Sequence, residues 1–324
     1  MGVSDTLTVE RRESARRGEI RDGRWRELLR DVWRAKYLYL ALSPTFILLA
    51  VLAYYPVLEA LYRAFFQWNG YSKAKWVGVG HFVAMADDEV LVGSVGNMFK
   101  LTLFSIIVGN AVAIAVAELI FHLKRDRLQQ FMRLGFIIPM VVPAVTTTLI
   151  WRSFMDPSYG VLNELLKLVG LPPQSWLGDF QLALPSLMLM GFPWVSGFSL
   201  LIYSAGLMNI SQEIIDAAAV DGATGLARIL RIDLPLLLGQ VRLLVVMGII
   251  GGIQAFQSIL ILTKGGPGNA TMVPAMHLYM QGFNYTKMGY ACAIGLVLFV
   301  IIMILTYINM KYVRPATEYE GRNV

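Results

Sequence analysis

Covalent chemistry needs an activated nucleophile, a paired acid and base, or a cradle for phosphate. This sequence shows none of them in a recognisable arrangement. The histidines His81, His122 and His277 stand alone in three separate stretches, and Cys292 is the sole cysteine. A single cysteine excludes an internal disulfide and a thiolate metal cluster. The GxxxxGK[ST] loop and the HExxH, CxxC and GxSxG patterns do not occur. The expectation is a chain that is not an enzyme and binds neither metal nor nucleotide itself. Non-covalent chemistry is better provided for. Gln254, Gln257 and Ser258 interrupt one strongly apolar stretch, and Gly191 and Trp194 lie in another. Two amides three residues apart share a face if the stretch is helical. There they either contact a polar solute or tie neighbouring helices together.

A third polar stretch, Ser211 to Pro235, reads SQEIIDAAAVDGATGLARILRIDLP. Ser211 can cap a helix whose first turn carries Gln212 and Glu213. Gly222 allows a left-handed bend. Thr224 can cap a second short helix, which Pro235 would stop. Ala217, Ala218 and Ala219 give a small-residue surface that another backbone can approach closely. A loop lying on lipid headgroups is the plainer reading, but it does not call for Glu213, Asp216 and Asp221 to face an anionic surface.

The elements that hold these groups follow from composition. Of 324 residues, 56% are hydrophobic and 15% charged, against roughly 45–50% and about 25% in ordinary globular chains. Mean hydropathy is +0.57. These values exclude an ordinary soluble domain, a disordered chain and a disulfide-stapled module. A bilayer-crossing helix needs about 20 mostly apolar residues. Charge-free windows lie between Lys36 and Glu59, Lys100 and Glu118, Arg133 and Arg152, Asp179 and Glu213, Arg242 and Lys264, and Lys287 and Lys311. Their continuous apolar character predicts six transmembrane helices rather than a barrel. Prolines at 44, 56, 139, 143, 185 and 193 are tolerable as kinks in a membrane bundle. The fourth window has 33 residues, so its span is placed at about 184–207. Gly248 and Gly252 form a small-xxx-small pair that suggests a close helix crossing.

Charge placement sets the orientation. Twenty of the 28 Lys and Arg residues fall in 1–36, 122–133, 209–242 and 311–324, and the remaining eight fall in the alternate loops. The inside-positive rule then puts both termini and the 211–235 segment in the cytoplasm. It also accounts for the net charge of +6 without nucleic acid. Three regions result: a cytoplasmic arm 1–36, a transmembrane domain 37–313, and a tail 314–324. Trp25, Leu28, Leu29, Val32 and Trp33 recur at helical spacing, as in an amphipathic helix on the inner leaflet. Acids lie near span ends, as at Glu59 and Glu118, and not at mid-depth. That speaks against ion-coupled transport.

The 211–235 segment resembles the cytoplasmic EAA motif of binding-protein-dependent ABC importer permeases, EAA-x3-G-x9-I-x-L-P. Asp216-Ala217-Ala218, Gly222 and Ile232-Asp233-Leu234-Pro235 match it, with Asp216 in place of Glu. Thr263-Lys264-Gly265-Gly266-Pro267, Thr271, Tyr279, Phe283 and Gly289-Tyr290-Ala291 are similar to the carbohydrate-uptake branch of that family, the maltose- and glycerol-phosphate-type permeases. So are Pro44, Tyr55-Pro56, Phe65, Trp68 and Val77-Gly78.

The resemblance implies an all-α type I ABC importer permease fold in the cytoplasmic (inner) membrane. The partners it implies are a second homologous permease, two ATPase subunits that bind ATP and Mg, and an extracytoplasmic solute-binding protein. It implies that the 211–235 segment is a coupling helix seated on an ATPase. The motif falls there on Asp216, Ala217, Ala218, Gly222, Ile232, Leu234 and Pro235, and the acids Glu213 and Asp221 of the same segment complete the expected coupling set. It further implies a sugar path that includes Gln254, which matches a sugar-contacting amide by spacing, with Gln257, Ser258, Gly191 and Trp194. Trp194 either stacks on sugar or simply packs. The rival expectations are the same architecture for a glycerol phosphate ester or polyol, a secondary transporter, and an intramembrane enzyme.

Overall fold

A computed structural model describes residues 33–313. The N-terminal amphipathic helix expected at 24–36 lies almost wholly outside them, as does the tail. The chain divides into two compact units, 1–60 and 61–324. The described part of the first is most of a long helix, α1 (Lys36–Arg63). Pro44 lies inside it, and its middle passes through a wider π turn at Leu49–Tyr54. Up to Ala60 none of its side chains is buried, as expected of a helix whose apolar surface faces lipid.

The second unit begins with a short antiparallel hairpin, β1 (Phe66–Gln67) with β2 (Lys75–Trp76). Then come α2 (Gly80–Ala86) and the 33-residue α3 (Glu89–Phe121), capped by Asp88, whose carboxylate accepts from the Leu91 amide. α3 is the spine of the unit. Its first half packs with α10 (Leu238–Ile253), α12 (Pro274–Tyr279) and α13 (Met288–Tyr312) around Met98, Ile253, Met276 and Ile294. Its second half packs with α8 (Gly197–Met208) around Ala117, Leu200, Tyr203 and Leu207. Small residues permit the close crossing with α10. A Cβ on Gly252 would lie 2.6 Å from Thr102 Cγ2, and one on Gly248 2.7 Å from Ile106 Cγ1.

Among the described residues, four helices are long and apolar enough to span a bilayer: α1, α3, the 238–262 stretch and α13. Three of the six charge-free windows are not single unbroken helices; the fifth is interrupted after Ile253. The third folds as α4 (Asp126–Val141) and α5 (Ala144–Phe154), bent by 94° at Val142-Pro143. Pro143 lacks the amide needed to continue α4, and the residue before a proline is pushed to extended backbone. The fourth holds α7 (Ala183–Leu189) and the 12-residue α8, parted by a turn in which Gly191 (φ +92°) and Trp194 (φ +59°) are left-handed. Between them lie α6 (Val161–Leu168) and a loop knotted by Asn163, which bonds Pro157, Gln174 and Trp176.

The 211–235 segment starts as a helix, α9 (Gln212–Val220). Two expectations fail there. Ser211 and Thr224 make no side-chain cap; Gly225, at φ +55°, stands at the second N-cap. Pro235 does not stop the second helix either. Helical backbone runs through Leu226–Arg228, a π turn at Ile229–Asp233 and Leu234–Leu236 almost directly into α10. Pro235 falls at the start of the Leu234–Leu236 turn, where its missing amide matters least.

Candidate functional site: a polar seam between broken helices

The sequence expects Gln254 and Gln257 on one helix face. The structure breaks the helix between them: α10 ends at Ile253 and α11 (Gln257–Leu262) starts afresh. The consecutive glycines Gly251 and Gly252 weaken the helix just before the break. The break nevertheless brings the polar set together. Gln254, Gln257 and Ser258 line a cavity of about 540 Å³ with Gly191, Thr147 and Thr148. Ser258 and Gly191 also line a neighbouring cavity of about 480 Å³ with Trp194, Thr102, Ser105, Asn110 and Ser199. All five residues expected along the path therefore meet at one seam, where α3, α5, the α7–α8 turn and the α10–α11 break face one another.

The seam is built by breaks that leave polar groups available. Gln254 and Gln257 are both exposed to the seam or to solvent. Trp194 is fixed in place: its Nε1–H donates to the Met188 carbonyl at 2.8 Å, and its ring meets Phe104 and Phe192 edge-on. Asn110 donates to Ile106 and accepts from the Tyr203 hydroxyl at 2.6 Å, holding α8 to α3. The Thr102 hydroxyl is buried and has no hydrogen-bond partner. Sequence reasoning missed Thr102, Ser105, Asn110, Thr147 and Thr148. The signal was present, since Thr102, Ser105 and Asn110 recur at i, i+3 and i+8 in an otherwise apolar window.

The other candidate surface is α9 and the bend after it. Glu213, Asp216 and Asp221 are exposed, Ala217 is exposed and Ala218 is buried. Gly222 has φ +76°, the left-handed bend expected of it, and its Cβ position is open space. Val220 and Leu226 flank the bend at 87% and 69% exposure, leaving apolar side chains beside acids on one surface. Ile232 and Leu234 are half-buried and Pro235 is exposed.

The residue between Ile232 and Leu234 is an unanticipated structural hub. Asp233 is fully buried and sits 3.2 Å from Nε of Arg228, whose guanidinium lies over Phe121. Glu118, 4% exposed at the end of α3, and His122 complete the cluster. Ligand atoms of Glu118, His122 and Asp233 lie within 4.8 Å of one another, the one grouping among the described residues that could hold a metal ion. Arg228 already supplies a positive charge there. The hub ties the far end of the 211–235 segment to α3.

Comparison with known proteins agrees with this architecture. The model of the family described as binding-protein-dependent transport system inner membrane component matches residues 109–319. The sulfoquinovosyl glycerol transport system permease protein SmoG of Agrobacterium fabrum is 30% identical, over 85% of this chain and 89% of that protein. The probable ABC transporter permease protein YurN of Bacillus subtilis is 29% identical, over 86% of this chain and 97% of that protein. Among solved structures, a bacterial alginate ABC transporter in complex with alginate pentasaccharide-bound periplasmic protein matches with a TM-score of 0.76 and 25% identity. That match covers 86% of this chain and 94% of the other. With the motif, the fold and the matched span in agreement, the chain belongs to the binding-protein-dependent ABC transport permeases, inner-membrane components of import systems.

Proposed function

We propose that this chain is one half of the pore of an ATP-driven importer for a carbohydrate. In this reading it crosses the membrane six times with both termini in the cytoplasm, the bent α4–α5 pair and the α7–α8 pair each counting as one broken span. The seam around Gln254 is its share of the solute path. Hydroxyls and amides there offer neutral hydrogen-bond partners suited to a polyhydroxylated solute, and Trp194 contributes an aromatic wall. A second permease supplies the other half, and a solute-binding protein delivers from outside. The named substrates of the relatives, sulfoquinovosyl glycerol and alginate, support a carbohydrate cargo.

The observation that carries the reading is the α9 bend. A helix with exposed acids and exposed Val220 turns back at a left-handed glycine and then runs through a charged hub into the helix that ends at Gln254. An ATPase seated on α9 would therefore pull on one end of α10 while the solute path lies at the other. ATP and Mg belong to that partner, and this chain needs no cofactor of its own. Affinity purification of the chain from membranes tests the assembly. Two ATPase copies and a second permease are expected; a complex without an ATPase would overturn the reading.

A further inference from the structure

A second cleft, of about 630 Å³, opens at the opposite end of the helices from the hub, bounded by the β1–β2 hairpin and the starts of α3 and α13. We propose that it is a binding site for an acidic saccharide, a hydroxylated ligand that carries carboxylates, separate from the seam at Gln254. The inference rests on the reading of the chain as a carbohydrate importer and names the cargo class more narrowly.

The floor is rigid. Asp88 accepts from the Tyr290 hydroxyl at 2.7 Å and from His277 at 2.9 Å, joining α3, α12 and α13. His81 donates to the Phe66 carbonyl at 3.0 Å, and the Gly289 amide donates to the Trp68 carbonyl, holding the hairpin against α13. A Cβ on Gly289 would collide with the Phe66 carbonyl, so glycine is what lets the hairpin sit so close. Gln281 lines this floor at 9% exposure, and its Oε1 is buried without a partner. Among the described residues one polar side-chain atom lies near its amide, Nε2 of His277 at 3.2 Å, the nitrogen that donates to Asp88 and so can pair only with the amide oxygen. Whichever way the amide is turned, one polar end is left for a ligand, and a buried group of this kind is costly unless something pairs with it.

The rim carries the charge. Lys73, Lys75 and Lys287 line the cleft and are exposed. None of them has a carboxylate partner among the described residues. Against them stands Asp88, already engaged with its three donors. Three ammonium groups above a hydrogen-bonding floor suit a ligand with carboxylates on one side and hydroxyls on the other. Trp68, in the wall, offers a reporter and an aromatic surface. A cleft of this volume fits a small oligosaccharide.

Calorimetric titration of the assembled transporter in lipid nanodiscs, without its binding protein, tests this with digalacturonate as probe and maltose and sodium sulfate as comparisons. Saturable binding of one digalacturonate per chain is expected, with quenching of tryptophan fluorescence that Trp68→Phe removes. The rim variant Lys73→Gln/Lys75→Gln/Lys287→Gln, all at exposed positions, should weaken it by about tenfold or more. Gln281→Leu should weaken it with the lysines intact, and Lys124→Gln, at the other end of the molecule, should not change it. Absence of saturable binding would overturn the proposal. So would equal binding of maltose, or displacement by sulfate as effective as by digalacturonate. A rim variant that loses only its docking to the binding protein would also overturn it, marking a protein interface. Each of these leaves the importer reading intact, which fails separately if the complex contains no ATPase.

Discussion

Removing Arg228 and removing Asp233 should not cost the same, and the order tests the hub. Asp233 has no exposed surface and Glu118 only 4%, while the Arg228 side chain is 14% exposed. Arg228→Met leaves two buried carboxylates within 4.8 Å of each other with only His122 to offset them. Breaking a buried ion pair from one side costs about 3–5 kcal/mol. The like-charge contact pushes this variant to the upper half of that range. Asp233→Leu instead leaves Arg228 beside Glu118, a replacement partner, so its cost should fall near or below about 3 kcal/mol. The double variant removes the charged pair in favour of apolar packing and should recover most of the loss, because buried pairs and apolar replacements are nearly equivalent in net stability. Reversible unfolding of the purified chain by SDS titration in mixed micelles, followed by circular dichroism, gives all three values. Losses of less than about 1 kcal/mol, typical of exposed pairs, or a larger cost for Asp233→Leu than for Arg228→Met, would refute the argument.

Four further outcomes follow from particular residues. Gly222→Val forces a β-branched residue to φ +76°. It should abolish solute-stimulated ATP hydrolysis in the assembled complex while Gly222→Asn, which tolerates that region, retains it. Gly252→Val drives a Cβ to 2.6 Å from Thr102 and should destabilise the chain by about 1–3 kcal/mol, read in the same SDS titration; an unchanged midpoint would contradict the close crossing. For Asp88, burial pushes the carboxyl up, but the Leu91 amide, the Tyr290 hydroxyl and His277 outweigh it and hold the carboxyl below its ordinary value of 3.8. The extra stability of wild type over Asp88→Asn should therefore shrink as pH falls below about 4, as acid-dependent melting would record. Cysteines at Gly80 and Gly268 should react with an impermeant thiol reagent outside intact cells and one at Arg125 should not; the opposite pattern would invert the topology.

Much of the membrane architecture was legible as charge-free windows, because a bilayer punishes charge more uniformly than a folded core does. The bend at Gly222 was legible too, since few residues other than glycine take φ +76° without strain. The breaks were not. Window counting cannot tell a kinked proline from a 94° turn at Pro143, because the neighbours that re-satisfy the backbone are distant in sequence. Nor could periodicity foresee that the helix ends at Ile253, so that Gln254 and Gln257 reach the seam by a break rather than by a shared face. Pro235 reads locally as a stop, yet the preceding π turn at Ile229–Asp233 carries the helix past it. The hub and the cleft beside the hairpin were hidden for a plainer reason. Arg228 and Asp233 meet Glu118 across more than a hundred residues, and Asp88 meets His277 and Tyr290 across 189 and 202.

The coupling of solute movement to ATP is tested most directly by Gln254→Ala in proteoliposomes. The assembled complex is reconstituted with ATP enclosed on the cytoplasmic side and supplied with a radiolabelled carbohydrate bound to the solute-binding protein. Uptake should require hydrolysable ATP. It should fall several-fold per assembled complex with Gln254→Ala, because a lost hydrogen bond of about 0.5–1.5 kcal/mol changes a rate by up to about tenfold. Uptake driven by an ion gradient without ATP would contradict the central claim. Unchanged uptake per complex in the variant would remove Gln254 from the solute path.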